Sequence, residues 1–181
     1  MFGTASEVFC YDPAKPYGQR WEVFAKTPNR RFYHSAAVLV PDGTSIIMGT
    51  DEATYDPTTA YDHEAERFTP PWLLDGSPRP VITASPENTV AFNTEFTIEY
   101  TGPRVDKVTL MAPNSNTHGT EMTQRTLFLI IVENTGTSIT VKSPVDATVM
   151  IEGYYVSIGL GSFCLASIPH VLHHHDFLRV I

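Results

Sequence analysis

The chain has 181 residues, 42% of them apolar, enough for one large domain or two small ones with a buried core. A formal charge of −8 without clustered Lys or Arg excludes nucleic acid as a partner, because phosphate binding needs a basic stripe. Its two cysteines, Cys10 and Cys164, exclude a disulfide framework and a closely spaced thiolate set for zinc, and leave a bridge between them open. Fourteen prolines and many short Val/Ile/Phe/Tyr/Thr runs between turn signals, with no helical period, predict an all-β protein.

Residues 1–75 read as short strands: Glu7–Tyr11, Trp21–Phe24, Ala36–Val40, Ser45–Met48 and Glu66–Phe68. Pro41-Asp42-Gly43 lies between two apolar runs and predicts a hairpin over Ala36–Met48, since Asp and Gly tolerate the dihedrals of a tight reversal. Strands of this number and spacing match one to two blades of a β-propeller, whose repeats run roughly 40 to 50 residues. So few blades cannot close a ring, and the uncovered edges and apolar face call for something to cover them.

Within this half, Arg31-Phe32-Tyr33-His34-Ser35 sets a phenol beside an imidazole. That mix of oxygen and nitrogen donors suits a borderline transition ion and differs from the all-oxygen shells of calcium or magnesium. Successive strand residues point to opposite faces, so the backbone must bend if Tyr33 and His34 are to reach one ion.

Thr69–Pro80 is dense in proline and reads as the connection to a second domain, residues 76–181. There the segments Val81–Thr83, Glu95–Tyr100, Lys107–Met111, Thr126–Val132, Ser138–Val141, Tyr154–Ile158 and Phe177–Ile181 predict an immunoglobulin-like β-sandwich. Alternation in Phe96–Tyr100 and Val108–Leu110 implies one face on a core and one in water. The polar loop Pro113–Arg125 carries His118 at its tip, the kind of loop on which a rigid β scaffold builds sites. His173 and His175, beside His170, His174 and Asp176, share a face if extended and read as a surface run able to hold an ion loosely; His63 reads as an ordinary histidine.

Several motifs occur together in order: Gly18-Gln19-Arg20-Trp21, Arg31–Ser35, Leu39–Gly43, Glu66–Leu73 with Arg79-Pro80, Thr117-His118 with Gln124-Arg125, and Gly153-Tyr154-Tyr155 with Pro169. The series resembles the C-terminal part of the galactose oxidase and glyoxal oxidase family of copper radical oxidases. That resemblance implies an incomplete kelch-type propeller over residues 1–75 and an early-set sandwich over 76–181, one loop of which reaches back to a single copper ion. It implies Tyr33 as axial phenolate, placed to take a substrate hydroxyl proton, and His34 and His118 as equatorial ligands. It also implies a tyrosine joined to a cysteine as a radical partner, in upstream blades that these residues do not include. The family's Thr-His-Ser and Asp-Gln-Arg stand here as Thr117-His118-Gly119 and Thr123-Gln124-Arg125, removing two polar groups that would orient the histidine.

The implied activity is oxidation of primary alcohols or aldehydes by oxygen with release of hydrogen peroxide, and turnover by this polypeptide alone is not expected. The alternatives are a non-catalytic module binding carbohydrate or a partner chain through Trp72, Tyr154 or Tyr155, and a subunit that docks onto a separate propeller half. Relatives in the family would be secreted; these residues show no signal peptide and no membrane span, so at face value the chain is cytoplasmic.

Overall fold

The computed structural model describes residues 5–40, 42–49, 64–86, 89–113, 115–122, 125–161, 164–165 and 177–181. His63, His170 and the run His173–Asp176 therefore lie outside the described residues, as do Pro41, Thr123 and Gln124. Among the described residues every regular element is a strand except one 3-10 turn at Pro71–Leu73. The all-β expectation holds.

The N-terminal half forms two small sheets. Strands β1 (Ala5–Tyr11) and β2 (Trp21–Arg31) pair as an antiparallel hairpin. β2 extends well past the predicted end at Phe24 and runs through Pro28, which falls in the register shift between the Ala5–Arg31 and Glu7–Lys26 pairs, an irregularity of the kind that tolerates proline. Strands β3 (Ala36–Leu39), β4 (Ser45–Met48) and β5 (Glu66–Phe68) form a three-stranded antiparallel sheet with β4 in the middle. The predicted hairpin is present: Ala36 pairs with Met48 and Leu39 with Ser45. At its turn the Asp42 carboxylate accepts from the Thr44 amide at 2.9 Å and the Thr44 hydroxyl at 2.6 Å, while Gly43 takes φ 82°.

The sandwich packs two sheets. One has the order β13 (Ile130–Asn134), β14 (Ser138–Lys142), β8 (Glu95–Thr101), β6 (Val81–Ala84). The other runs β12 (Thr126–Phe128), β9 (Lys107–Met111), β15 (Gly153–Gly161), β17 (Phe177–Val180), β7 (Thr89–Val90), with β16 (Cys164–Leu165) beside β15. In β8 the alternation is strict: Phe96, Ile98 and Tyr100 point inward and Glu95, Thr97, Glu99 and Thr101 outward. They meet Leu110, Ile139, Val141, Met150 and Val180, all buried. The Tyr100 hydroxyl is satisfied inside the core, donating to Asn134 Oδ1 at 3.2 Å and accepting from the Val105 amide at 3.3 Å.

Two strand expectations need correction. Thr126–Val132 is two strands, since β12 pairs with β9 in one sheet and β13 with β14 in the other, and buried Leu129 makes the crossing. Val108–Leu110 does not alternate between core and water: Thr109 is buried along with Val108 and Leu110, on a strand flanked by β12 and β15.

Candidate metal centre

Tyr33 and His34 occupy a turn between β2 and β3. The Ser35 amide donates to the Phe32 carbonyl at 3.1 Å and the Ser35 hydroxyl to the same oxygen at 2.5 Å, closing a four-residue turn with His34 at its third position. His34 has φ 63°, the left-handed value that a type II turn usually gives to glycine. This supplies the bend that bringing adjacent side chains to one side requires.

The loop carrying His118 is a small hairpin of its own. Strands β10 (Asn116–Thr117) and β11 (Thr120–Glu121) pair, with Thr117 opposite Thr120, and leave His118-Gly119 as a two-residue connection. Both residues have positive φ, 55° and 69°, as a type I′ turn demands, so His118 stands where asparagine is usually found. The Glu121 carboxylate accepts from the Ser115 amide and fixes the hairpin base. Hairpin β10–β11 projects from the sandwich and lies against β3.

The three rings meet. Centroids of Tyr33 and His34 lie 4.2 Å apart, those of His34 and His118 4.6 Å, and those of Tyr33 and His118 5.3 Å. All three side chains are exposed, Tyr33 by 46%, so the cluster is open to solvent. Among the described residues no three His, Cys, Asp or Glu side chains come together, and here the third donor is the phenol. The loss of orienting polar groups inferred from Gly119 is offset locally, because the Thr117 hydroxyl lies 2.8 Å from His118 Nδ1 and leaves Nε2 as the ring's remaining nitrogen.

Beneath the bend is a buried ionic network. The Arg31 side chain is 4% exposed and donates to Glu66 Oε2 from Nε at 3.2 Å and from Nη2 at 2.5 Å. Thr27 also donates to this carboxylate. Burial pushes the Glu66 pKa up, but the hydrogen bonds from Thr27 and Arg31 and the guanidinium charge outweigh it, and the net shift is downward. A depressed carboxylate contributes stability that is present above its ordinary pKa and lost as pH falls through the folded value. Glu66→Gln is therefore expected to melt below wild type at neutral pH, with the gap constant down to the ordinary carboxylate value of 4.5 and closing as the pH falls below it, as followed by circular dichroism melts.

The aromatic residues singled out as contact candidates divide. Tyr155 is 3% exposed and donates to the Ile151 carbonyl at 2.6 Å, so it is core and cannot reach a ligand. Trp72 is half-buried and meets Phe24 edge-on at 5.7 Å, leaving only Tyr154 exposed. Cys10 is a free thiol. Sequence reasoning missed Thr117, Arg31, Glu66 and Gly49 as supports of the cluster. The Thr-His-Gly-Thr string carried a hairpin signal, but the other three act through tertiary contacts that no local pattern announces.

Residues 79–160 match the family model for the galactose oxidase-like early set domain. Over these residues the chain belongs to that family. Three relatives extend the likeness to both halves. A WSC domain-containing protein of Arthroderma benhamiae is 33% identical over 161 residues, 86% of this chain and 17% of that protein. Aldehyde oxidase GLOX1 of Arabidopsis thaliana is 34% identical over 164 residues, 81% of this chain and 26% of that protein. The galactose oxidase of Gibberella zeae is 30% identical over 154 residues, 82% of this chain and 22% of that protein. The chain thus spans only about a quarter or less of these relatives' length. A solved structure described as a fungal alcohol oxidase in complex with copper superposes with a TM-score of 0.75 at 22% identity, over 94% of this chain and 34% of that one. At that identity the likeness speaks for the fold. The resemblance to the galactose oxidase and glyoxal oxidase family stands, and the early set domain is what carries His118 toward the Tyr33-His34 bend.

Proposed function

We propose that Tyr33, His34 and His118 are three ligands of one copper ion, and that the chain is part of a copper radical oxidase acting on primary alcohols or aldehydes. The observation that carries this is the meeting of one phenol and two imidazoles within 5.3 Å, on two loops that both spend an unusual backbone conformation to present a histidine. A donor set of one oxygen and two nitrogens fits copper(II), which ranks highest in the divalent affinity order. Copper, when bound, supplies one-electron redox capacity and polarises a coordinated oxygen. Tyr33, the exposed donor, is placed to hold the proton of a substrate hydroxyl, while the Thr117 contact keeps His118 in one ring orientation. The family's Tyr-Cys radical pair is not among these 181 residues, so they are expected to bind copper without turning over.

Copper titration followed by electron paramagnetic resonance tests the proposal. A background with His173, His174 and His175 changed to alanine removes the run read from the sequence as able to hold an ion loosely. One equivalent with a type 2 signal is expected, lost in His34→Ala, with no hydrogen peroxide released from alcohols or aldehydes. Absence of stoichiometric copper would defeat the reading.

A non-catalytic role as a docking module is favoured by one observation. Phe9, Tyr11, Trp21 and Val23 stand exposed on one face of the β1–β2 hairpin, as cross-strand pairs Phe9–Val23 and Tyr11–Trp21. A partner chain, such as a separate propeller half, would cover that face, and carbohydrate is the other occupant by its aromatic content.

A further inference from the structure

Buried ion pairs are weak stabilisers, since the desolvation of two charges consumes most of their attraction and apolar substitutes of equal volume often do as well. The Arg31–Glu66 pair therefore asks for an explanation other than stability, and its connections supply one. Arg31 closes β2, two residues before Tyr33, while Glu66 opens β5. Besides Glu66, the guanidinium donates from Nη2 to the Glu64 carbonyl at 3.1 Å and from Nη1 to the Gly49 carbonyl at 3.3 Å. One side chain thus ties the end of the hairpin sheet to two segments of the three-stranded sheet. Gly49 is the important contact. It follows β4 with φ 80°, and a Cβ there would lie 3.1 Å from the His34 carbonyl oxygen and 3.7 Å from Ser35 Cα. The backbone that Arg31 grips is the backbone against which the His34 turn rests.

We infer that the Arg31–Glu66 pair positions the Tyr33-His34 bend, holding it in register with His118; this rests on the copper-site reading for its consequence, though its geometry does not depend on it. The forked guanidinium suits the task, because its donors point in fixed directions at acceptors that include Glu66, Glu64 and Gly49, which a lysine ammonium cannot reproduce. Arg31 and Glu66 are positioning residues and contribute no ligand.

Three variants test this. Arg31→Lys removes the fork, Arg31→Met with Glu66→Met replaces the pair by apolar groups, and Arg67→Lys perturbs an exposed pair of the same sheet, Arg67–Asp42 at 2.7 Å. In the first two the cooperative melt is expected to survive, the copper Kd to rise about 10- to 100-fold and the copper signal to broaden, with no change in the third. A metal-free readout runs beside this: nuclear Overhauser contacts between the Tyr33 ring and the His34 and His118 imidazoles should weaken in the first two variants only. If wild type takes up no copper while those contacts still weaken, the metal reading fails and the positioning role stands. If both altered pairs keep wild-type ring contacts, the positioning role is wrong whatever copper does, and wild-type affinity with an unchanged signal would overturn it equally. Should Arg31→Lys not fold, the doubly substituted apolar variant decides between these outcomes by itself.

Discussion

His118→Asn is expected to cost at least about 100-fold in copper affinity while leaving the protein as stable as wild type or up to about 1 kcal/mol more stable. Both halves of that result follow from the same turn. His118-Gly119 is a two-residue connection with φ positive at both positions, and asparagine adopts the first of these more readily than histidine does. The hairpin should therefore tolerate or welcome the change. The imidazole that meets His34 at 4.6 Å is gone, however, and a carboxamide is a poor substitute as a copper ligand. Copper titration paired with a thermal melt of the metal-free chain reads the two effects separately. An unchanged affinity would remove His118 from the ligand set.

Gly102→Ala is expected to destabilise the sandwich by more than about 3 kcal/mol, by adding a backbone collision to an unfavourable dihedral. Gly102 has φ 91°, and a Cβ there would lie 2.7 Å from the Arg79 carbonyl oxygen and 3.3 Å from Pro80 Cα. Those are backbone atoms beside one of the most deeply buried residues, Pro80, so they cannot move aside as a side-chain tip would. The strain passes into the β6–β8 ladder, where Val81 pairs with Thr101. Gly136→Ala is the control, with nearly the same φ of 93° and nothing within 4 Å of the added carbon. It should cost only the dihedral strain, about 1–2 kcal/mol. Equal losses in the two variants, measured by denaturant unfolding, would show that the Arg79 contact does not matter.

What could be read from the sequence was what is local. Pro41-Asp42-Gly43 named its hairpin because turn chemistry acts within four residues, and Phe96–Tyr100 named its inward face because a strand repeats every second residue. The split at Leu129 is invisible in sequence because Thr126–Val132 is one unbroken β-forming run, and only the packing of two sheets divides it. β2 outruns its expected end for the opposite reason, since Pro28 looks like a breaker until it proves to lie in a register shift of the β1–β2 ladder. At the site, the resemblance pointed to Tyr33, His34 and His118, which the fold brings together from opposite ends of an 85-residue separation only through the β10–β11 hairpin. The supports were illegible, because Arg31 and Glu66 are 35 positions apart and Gly49 acts through a carbonyl and a missing Cβ.

The two tryptophans both fall before residue 79, Trp21 bare on the hairpin and Trp72 half-covered in the proline-rich connection. Indole emission is consequently blind to the sandwich, whose own melting is visible only through backbone dichroism or tyrosine. A fluorescence curve and a dichroism curve recorded on the same sample would thus report on different halves of the molecule, and any offset between their midpoints would measure how far the halves unfold independently.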